Sequence, residues 1–222
     1  MACKKIISGG LFVTFEGPEG SGKSTQISLL KKHFEEQGYL VKLTREPGGT
    51  PISEKIRQLL LDPSNTAMIP VTELLLYAAS RTQHLGEVIV PHLREGYLVL
   101  CDRFHDSTTA YQGYARGLDL SLIKAVHEIS LHGILPELTF ILMVDVVVGI
   151  DRARQESECN GKMKGGDRLE QENLDFHRRV ASGYQMIASE NPDRVMLVKP
   201  GRIEETNRIL LSEIEKRLKE KL

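Results

Sequence analysis

Residues 17–24 form the arrangement with the clearest chemical meaning in this chain of 222 residues. They read Gly-Pro-Glu-Gly-Ser-Gly-Lys-Ser and match the phosphate-binding loop pattern G-x-x-x-x-G-K-[ST] at every fixed position. The glycines permit the backbone angles with which successive N–H groups converge on phosphate oxygens, and a helix starting there adds its positive end. Lys23 is predicted to reach the β- and γ-phosphates, and the Ser24 hydroxyl is a candidate Mg²⁺ ligand. The loop therefore predicts binding of a nucleoside triphosphate.

The elements around this loop alternate between strand-like and helical patterns. Strand-like apolar runs lie at 11–16, 39–44, 97–102, 138–144 and 194–198. Helical patterns lie at 23–36, 51–61, 70–93, 119–133, 170–189 and 203–219. Continuous apolar strands indicate burial on both faces, and their alternation with helices favours a parallel, doubly wound sheet. We therefore expect an α/β fold with a five-stranded parallel sheet flanked by helices, in a single domain over residues 1–222.

Composition excludes several classes of partner. The 29 Lys and Arg residues nearly balance the 30 Asp and Glu residues, which leaves no broad basic surface for nucleic acid or anionic membrane. Cys3, Cys101 and Cys159 are too few and too scattered for a disulfide framework or a zinc site. No apolar stretch reaches the length of a signal peptide or a membrane span. We expect a cytoplasmic protein with neither nucleic acid nor membrane as a partner.

A carboxylate that assists Mg²⁺ is expected at the end of an apolar strand. Asp102 and Asp145 both follow such a run. We favour Asp102, because Arg103 and the polar run 105–109 follow it directly, and we expect Asp145 to cap the next helix. The sequence contains no Asn-Lys-x-Asp, which disfavours a guanine-specific GTPase.

A polar, glycine-rich stretch at 156–167 interrupts the alternation of elements. Arg152, Arg154 and Arg168 border it. An ordinary solvated loop would have the same composition, but a basic segment with glycine hinges can also fold over a triphosphate and exclude water. We favour a lid over about 152–168.

One face of the helix at 70–93 carries Tyr77, Arg81 and His84, at positions i, i+4 and i+7. A ring and a guanidinium on one face could hold a planar base. An arginine that extends to solvent beside a core tyrosine explains the same pattern. The pattern alone leaves both interpretations open.

Four segments together resemble the thymidylate kinases. They are 15–24, Thr44-Arg-Glu-Pro-Gly-Gly-Thr50, 74–84, and the run 102–113 with its Asp-Arg-Phe and Ser-Thr-Thr-Ala-Tyr-Gln-Gly. The similarity extends from about Leu11 to the last helix. It implies a P-loop nucleoside monophosphate kinase fold with a short lid, transfer of the γ-phosphoryl group from ATP-Mg to dTMP in dTTP supply, and a homodimer.

The resemblance also implies a set of site residues. The ATP-binding set is Gly17, Pro18, Glu19, Gly20, Ser21, Gly22, Lys23, Ser24 and Thr25. The dTMP-binding set is Glu19, Glu46, Pro47, Arg57, Tyr77, Arg81, Arg103, Ser107, Thr108, Tyr111 and Gln112. The metal ligands are Ser24 and Asp102. The catalytic residues are Lys23, Arg103, Arg154 and Arg168.

Within the dTMP set, the family pattern implies specific roles. Arg57 and Arg103 correspond to the pair that grips the monophosphate. Tyr77 corresponds to the ring that stacks on thymine, and Arg81 to the group that hydrogen-bonds its O4 edge. Tyr111 corresponds to the ring that crowds the 2′ side of the sugar. The 3′-hydroxyl is expected to bind Glu19, and the Glu46–Pro47 peptide bond is expected to be cis.

Gly20 stands where some family members carry an arginine, so the chain resembles the bacterial-type group, in which the lid supplies the catalytic positive charge. Arg152 and Arg154 match lid-base arginines, but on one helix they would point about 200° apart, so we expect only one to reach phosphate. The choice among Lys162, Lys164 and Arg168 for the remaining charge stays open.

Two other function classes compete with this hypothesis. One is a kinase for another monophosphate or for a deoxynucleoside. The other is a nucleotide-sensing module that binds without turnover. The intact Lys23, Ser24 and Asp102 disfavour the second class, and a panel of substrates separates all three.

Overall fold

The computed structural model describes residues 4–159 and 166–221, without the side chains of 154 and 156–159. In this part of the chain, one sheet contains β1 (Leu11–Glu16), β2 (Val41–Arg45), β3 (Leu98–Asp102), β4 (Leu138–Leu142) and β5 (Val195–Val198). Every neighbouring pair is parallel, and the strand order is β2-β3-β1-β4-β5. The predicted five-stranded parallel sheet is confirmed.

Helices connect and flank these strands. They are α1 (Lys23–Glu36), α2 (Pro51–Leu61), α3 (Pro70–His84), α4 (Val90–Arg94), α5 (His105–Thr108), α6 (Leu120–Leu131), α7 (Val146–Cys159), α8 (Leu174–Glu190) and α9 (Ile203–Lys219). Two π-helical segments continue α3 and α5, at Leu85–Ile89 and Thr109–Ala115. The helix predicted over 70–93 is therefore α3, a π segment and α4. The helices at 105–115 and 146–159 are additional elements that the sequence patterns did not predict.

Polar side chains begin several of these helices. Thr50 accepts a hydrogen bond from the amide of Ser53 before α2, and Asn173 accepts one from the amide of Phe176 before α8. The helix predicted to begin at 170 begins at Leu174 because Asn173 caps it. Asp145 Oδ1 accepts from the amides of the second and third residues after it, which confirms its predicted role as a cap.

The core lies on both faces of the sheet, as the apolar strands predict. All six residues of β1 are buried. Because side chains alternate along a strand, Leu11, Val13 and Phe15 pack in one cluster with α1 and α9, whereas Phe12 packs in a second cluster with Phe104. Within the described residues, no helix combines the length and the apolar character needed to cross a membrane.

The register of the sheet positions the functional segments. Phe15 on β1 lies opposite Asp102 on β3, and Asp102 lies opposite Arg45 on β2. In a parallel sheet the carboxyl ends of the strands share one edge, and ligands bind there. The loops that follow β1, β2 and β3 therefore meet at this edge.

The segment predicted as a lid is described only in part. Residues 152–159 belong to α7, and 166–168 follow the gap in the description. Lys162 and Lys164 lie outside the described residues.

Candidate active site

A cleft of about 1070 Å³ lies at the carboxyl edge of the sheet. Most of the predicted site residues line it: Glu19, Gly20, Ser21, Gly22, Lys23, Ser24, Thr25, Glu46, Pro47, Arg57, Tyr77, Arg81, Asp102, Arg103, Ser107, Thr108, Tyr111 and Gln112. Gly17 and Pro18 lie behind this wall, where both are buried. Residues predicted from five separate stretches of sequence therefore share one cavity.

The phosphate-binding loop has the backbone that its glycines predict. Gly17, Gly20 and Gly22 have φ angles of 130°, 63° and 86°. Lys23 Nζ donates to the carbonyls of Gly17 and Pro18, at 3.1 and 3.0 Å. Burial, followed by the neighbouring charge of Arg103, lowers the pKa of Lys23. The two carbonyls thus hold the ammonium group of Lys23 at the cleft wall.

Gly20 also packs against the start of α7. A Cβ atom at Gly20 would lie 2.1 Å from the carbonyl oxygen of Gly149 and 3.0 Å from Cβ of Arg152. A side chain at position 20 would therefore require α7 to move. This contact gives a physical reason why the loop of this chain carries glycine rather than arginine.

Ser24 and Asp102 form the candidate metal site. Ser24 Oγ lies 3.4 Å from Asp102 Oδ2, and Asp102 Oδ1 is buried without a hydrogen-bond partner among the described residues. Oxygen ligands of this type suit Mg²⁺, which keeps several waters and binds phosphate oxygens in addition to one or two protein oxygens. Within the described residues, no group of three or more His, Cys, Asp or Glu side chains gathers as an all-protein metal site. The pair fits a metal that arrives with a nucleotide.

Two further arginines, Arg103 and Arg57, line the same cleft. Arg103 Nη2 pairs with Glu19 Oε1 at 2.5 Å, and its Nη1 donates to the carbonyl of Gly17 at 3.1 Å. Arg57 Nη1 donates to the carbonyl of Pro47 at 2.9 Å. Burial opposes ionisation of Glu19, but Arg103 and Lys23 lower its pKa overall. Two guanidinium groups thus face the same cavity as the phosphate-binding loop.

Arg81 is buried in the cleft wall, with 1% of its side chain exposed. Its Nε donates to Glu46 Oε2 at 2.8 Å and its Nη2 to Thr108 Oγ1 at 2.8 Å. The interpretation of Arg81 as an arginine that extends to solvent is therefore wrong. Tyr77 lines the cleft with it, whereas His84 is buried behind, against Glu46.

The turn after β2 supports this wall. The Glu46–Pro47 peptide bond is cis, as predicted. The Glu46 carboxylate accepts from Arg81 and lies within 3.2 Å of His84 Nδ1. Through these contacts, the turn after β2 holds the part of α3 that carries the cleft-lining side chains.

The structure does not bring Arg168 into the cleft. Its Nη2 lies 2.6 Å from Glu73 Oε2, and its Nε donates to the carbonyl of Leu60 at 2.8 Å. Glu73 is 1% exposed and also accepts from Arg116 and Gln112. A buried carboxylate needs such partners, so these contacts give Arg168 a structural role, and its catalytic role stays a prediction. The side chain of Arg154 lies outside the described residues.

Sequence reasoning missed Glu16 and Tyr184, which lie directly behind the cleft. Tyr184 OH donates to Glu16 Oε2 at 2.9 Å and accepts from Arg103 Nη1 at 3.1 Å. Glu16 carries a weak signal, because a carboxylate ends a strand whose five other residues suit burial. Tyr184 occupies a helical position that is typical of an ordinary core residue, and gives no signal.

A five-stranded parallel sheet with this strand order, a phosphate-binding loop after its central strand and guanidinium groups in the same cleft define the class of P-loop nucleoside monophosphate kinases. The protein-family model described as "Thymidylate kinase" matches residues 15–208 of this chain. That match covers most of the chain, which therefore belongs to the thymidylate kinase family.

Individual relatives support the same family membership. A thymidylate kinase from Trichlorobacter lovleyi is 50% identical over 188 residues, covering 85% of this chain and 88% of the relative. One from Halothermothrix orenii is 54% identical over 181 residues, covering 82% and 85%. The crystal structure of thymidylate kinase from Ehrlichia chaffeensis is similar with a TM-score of 0.74 and 34% identity, covering 93% of this chain and 98% of that one.

Proposed function

We propose that this chain transfers the γ-phosphoryl group of ATP to dTMP, giving dTDP, which supplies dTTP for DNA synthesis. One observation carries the proposal. A single cleft holds the phosphate-binding loop around Lys23 together with Arg57, Arg103, Tyr77 and Arg81. A donor triphosphate and an acceptor monophosphate can meet end to end in such a cavity.

The chemistry requires charge compensation rather than a general base. The attacking oxygen belongs to a phosphate that is ionised at neutral pH, so no side chain needs to remove its proton. Unit charges about 4 Å apart repel by about 4 kcal/mol at an effective dielectric constant near 20, and two polyanions present several such pairs. Lys23 at the donor and Arg57 and Arg103 at the acceptor offset this repulsion and align the reacting atoms.

Ser24 and Asp102 would hold Mg²⁺ beside the donor phosphates. When bound, the ion neutralises charge that develops on the phosphate oxygens. The 3.4 Å separation of Ser24 Oγ from Asp102 Oδ2 and the unpartnered Asp102 Oδ1 support this assignment within the described residues.

Thymine recognition is assigned to Tyr77 and Arg81. Tyr77 offers a ring for stacking, and Arg81 Nη1 is a buried donor without a partner among the described residues. Since Nε and Nη2 of Arg81 are held by Glu46 and Thr108, Nη1 is the nitrogen left to donate to the O4 edge of the base. Gln112 completes this wall and donates to Glu73 at 2.7 Å.

Lid closure over the triphosphate by residues around 152–168 and homodimer formation belong to the same proposal. Large apolar side chains on α3 and α6 support the dimer, because Leu75 is 54% exposed and Ile129 is 75% exposed on these two packed helices. A cytoplasmic location remains a prediction from the sequence.

The test is a substrate panel with the purified full chain. ATP and Mg²⁺ are combined with dTMP, dUMP, CMP, AMP or thymidine, and ADP release and the nucleotide products are followed by chromatography. We expect dTDP from dTMP at the highest kcat/KM and no phosphorylation of thymidine. A preference for CMP or AMP would overturn the assignment. Tight ATP binding without turnover of any acceptor would indicate a nucleotide-sensing module instead.

A further inference from the structure

A carboxylate is enclosed directly beneath the acceptor side of the cleft. Glu16 ends β1 and has no exposed surface. Its Oε1 accepts from the amides of Phe104 and Ser107, at 2.7 and 3.3 Å. Its Oε2 accepts from the hydroxyls of Ser107 and Tyr184, at 2.5 and 2.9 Å. Four donors therefore converge on a single carboxylate, which in its ionised form can accept hydrogen bonds but cannot donate one.

The two hydroxyls connect Glu16 to Arg103. Arg103 Nη1 donates to Ser107 Oγ at 3.2 Å and to Tyr184 OH at 3.1 Å. A guanidinium has no acceptor, so each hydroxyl must accept from Arg103 and use its own proton elsewhere. The carboxylate receives both protons. The charged groups at the two ends thus set the direction of the hydrogen bonds to Arg103 and to Glu16. The two hydroxyls also lie 2.9 Å from each other, where either can donate.

The backbone at Arg103 is held by the same strand. Its φ is 67°, in the left-handed region that residues with a side chain rarely adopt. The amide of Arg103 donates to the carbonyl of Phe15 at 2.9 Å, and the next amide, of Phe104, donates to Glu16. Strained backbone persists where its surroundings over-determine it, and here the end of β1 supplies that support.

We propose that Glu16 is a positioning residue of the acceptor site: through Ser107 and Tyr184, its carboxylate fixes the guanidinium of Arg103 for the acceptor monophosphate. This inference rests on the proposed function, in which Arg103 grips that phosphate. It assigns to a residue outside the cleft lining a role that depends on its charge and on the direction of its hydrogen bonds.

The electrostatic surroundings make the charge state of Glu16 sensitive to pH. Burial and the neighbouring carboxylate of Asp106 raise the pKa of Glu16 to about 7, against the opposing effects of Arg103, Ser107 and the Phe104 amide. Arg194 pairs with Asp106 at 2.7 Å, and Lys23 also lies within electrostatic range of Glu16.

A protonated Glu16 would itself become a donor. One of its two hydroxyl partners would then have to turn its proton from the carboxylate to the other hydroxyl, 2.9 Å away, and the side chain would lose the negative charge that strengthens both hydrogen bonds. The hydrogen bonds to Arg103 weaken as a result. The value of kcat/KM for dTMP is therefore expected to rise with pH through about 7.

The experiment compares Glu16→Gln with the wild-type full chain in steady-state kinetics at pH 7.5, varying dTMP and ATP separately. We expect KM for dTMP to rise at least about ten-fold, as for loss of a hydrogen bond to a charged group, and KM for ATP to stay within about two-fold. Glu137→Gln is the matched control. Glu137 also accepts a strand amide, from Phe12 at 2.8 Å, but lies outside the cleft lining. Its substitution should leave both KM values unchanged.

A pH series provides a second readout, which a purely structural role would not move. Between pH 6 and 8.5, kcat/KM for dTMP should contain one ionisation in the wild type that Glu16→Gln lacks. Ionisation of the dTMP phosphate contributes equally to both proteins, so it cancels in their ratio. A ratio that stays constant with pH would overturn the proposal, as would equal increases in the two KM values.

Tyr184→Phe tests the same connection without touching the carboxylate. It should raise KM for dTMP selectively, and the double variant Glu16→Gln/Tyr184→Phe should resemble Glu16→Gln alone, because both changes interrupt one group of hydrogen bonds. Fully additive effects would contradict the inference. If Glu16→Gln does not fold, Tyr184→Phe decides alone, and wild-type kinetics would overturn the inference. Absence of dTMP turnover in the wild type would instead overturn the proposed function.

Discussion

The guanidinium of Arg81 and the carboxylate of Glu46 form an ion pair inside the cleft wall, with 2.8 Å between Nε and Oε2 and only 1% and 4% of the side chains exposed. Removing one partner of a buried pair leaves the other charge uncompensated, which typically costs about 3–5 kcal/mol of stability. Arg81 therefore supports the fold as well as the proposed base site, and a test of recognition must separate the two roles.

Arg81→Lys separates the role in stability from the role in base recognition better than Arg81→Ala does. Lysine keeps the positive charge beside Glu46 but lacks the planar fork that reaches Thr108 and the base together. We expect KM for dTMP to rise by about ten-fold or more, which corresponds to loss of one hydrogen bond from a charged donor, and KM for ATP to change by less than about two-fold. Initial rates with each substrate varied in turn give both values.

Arg194→Lys is the matched control for this prediction. Arg194 also pairs with a buried carboxylate, Asp106, at 2.7 Å, but it does not line the cleft. Its substitution should lower the melting temperature without a selective change in KM for dTMP. Parallel increases in both KM values for Arg81→Lys would show that Arg81 does not read the base.

Lys23→Met tests the donor side of the cleft. The substitution removes the ammonium that lies 3.1 and 3.0 Å from the carbonyls of Gly17 and Pro18 and keeps a side chain of similar length. We expect kcat to fall by roughly two orders of magnitude or more while the fold is retained, because the charge acts on the transferred phosphoryl group. Circular dichroism checks the fold. Lys31→Met, on the same helix but at the surface, should leave turnover unchanged, and near-normal turnover of Lys23→Met would refute the assigned role.

Much of this site could be predicted because its residues follow strand ends. The loop at 17–24, the turn at Glu46 and Arg103 follow three strands whose parallel arrangement the apolar runs indicated, and parallel strands bring their carboxyl ends to one edge. Neighbours in the sheet, such as Phe15 and Asp102, then place those segments side by side. Sheet geometry thus accounts for where these segments meet, whereas the choice of Glu46 and the role of Arg103 came from the family resemblance.

The remaining contacts depend on tertiary packing, which local sequence does not encode. Tyr184 reaches Glu16 across 168 positions of sequence. The helical segment over 105–115 contains Ser, Thr and Gly, which are poor helix formers, and α8 supports it because Gly183 allows close approach to Tyr114. Arg168 was predicted as a lid cation from its charge, and only the fold reveals that its partner is Glu73.

Tyr111→Ala tests discrimination against ribonucleotides. The ring is 4% exposed in the cleft wall, with its hydroxyl 3.3 Å from Glu19 Oε1 and the Arg103 guanidinium 5.2 Å from its centroid. If the ring crowds the 2′ side of the sugar, alanine should reduce the preference for dTMP over its ribonucleotide by about ten-fold or more, since a 2′-hydroxyl then fits without a clash. The ratio of kcat/KM for the two acceptors is the measurement.

Tyr111→Phe is the control for that change, because it keeps the ring and removes only the hydrogen bond to Glu19. Its preference for the deoxyribonucleotide should stay close to that of the wild type. Alanine also removes core packing against Phe176 and Tyr184, so its melting temperature is measured beside the kinetics. Unchanged selectivity in folded Tyr111→Ala would defeat the hypothesis.

His105 is predicted to make stability depend on pH. Its ring is buried between Phe104 and His127, with Nε2 3.4 Å from Asp106 Oδ1. Burial lowers the pKa of His105 to about 4, although Asp106 opposes the shift. An unfolded histidine titrates near about 6.5. Between these values the unfolded chain binds a proton that the folded chain excludes, so the contribution of His105 to stability is present above about pH 6.5 and is lost as the pH falls.

Between pH 7.5 and pH 5.0, this linkage removes about 2 kcal/mol from the free energy of unfolding. Glu16 has a raised pKa and contributes with the opposite sign over much of the same range. The informative quantity is therefore the difference between the wild type and His105→Gln, each unfolded with urea at both pH values. The wild type should lose about 2 kcal/mol more than the variant on acidification. Equal losses would show that His105 takes up its proton in the folded state.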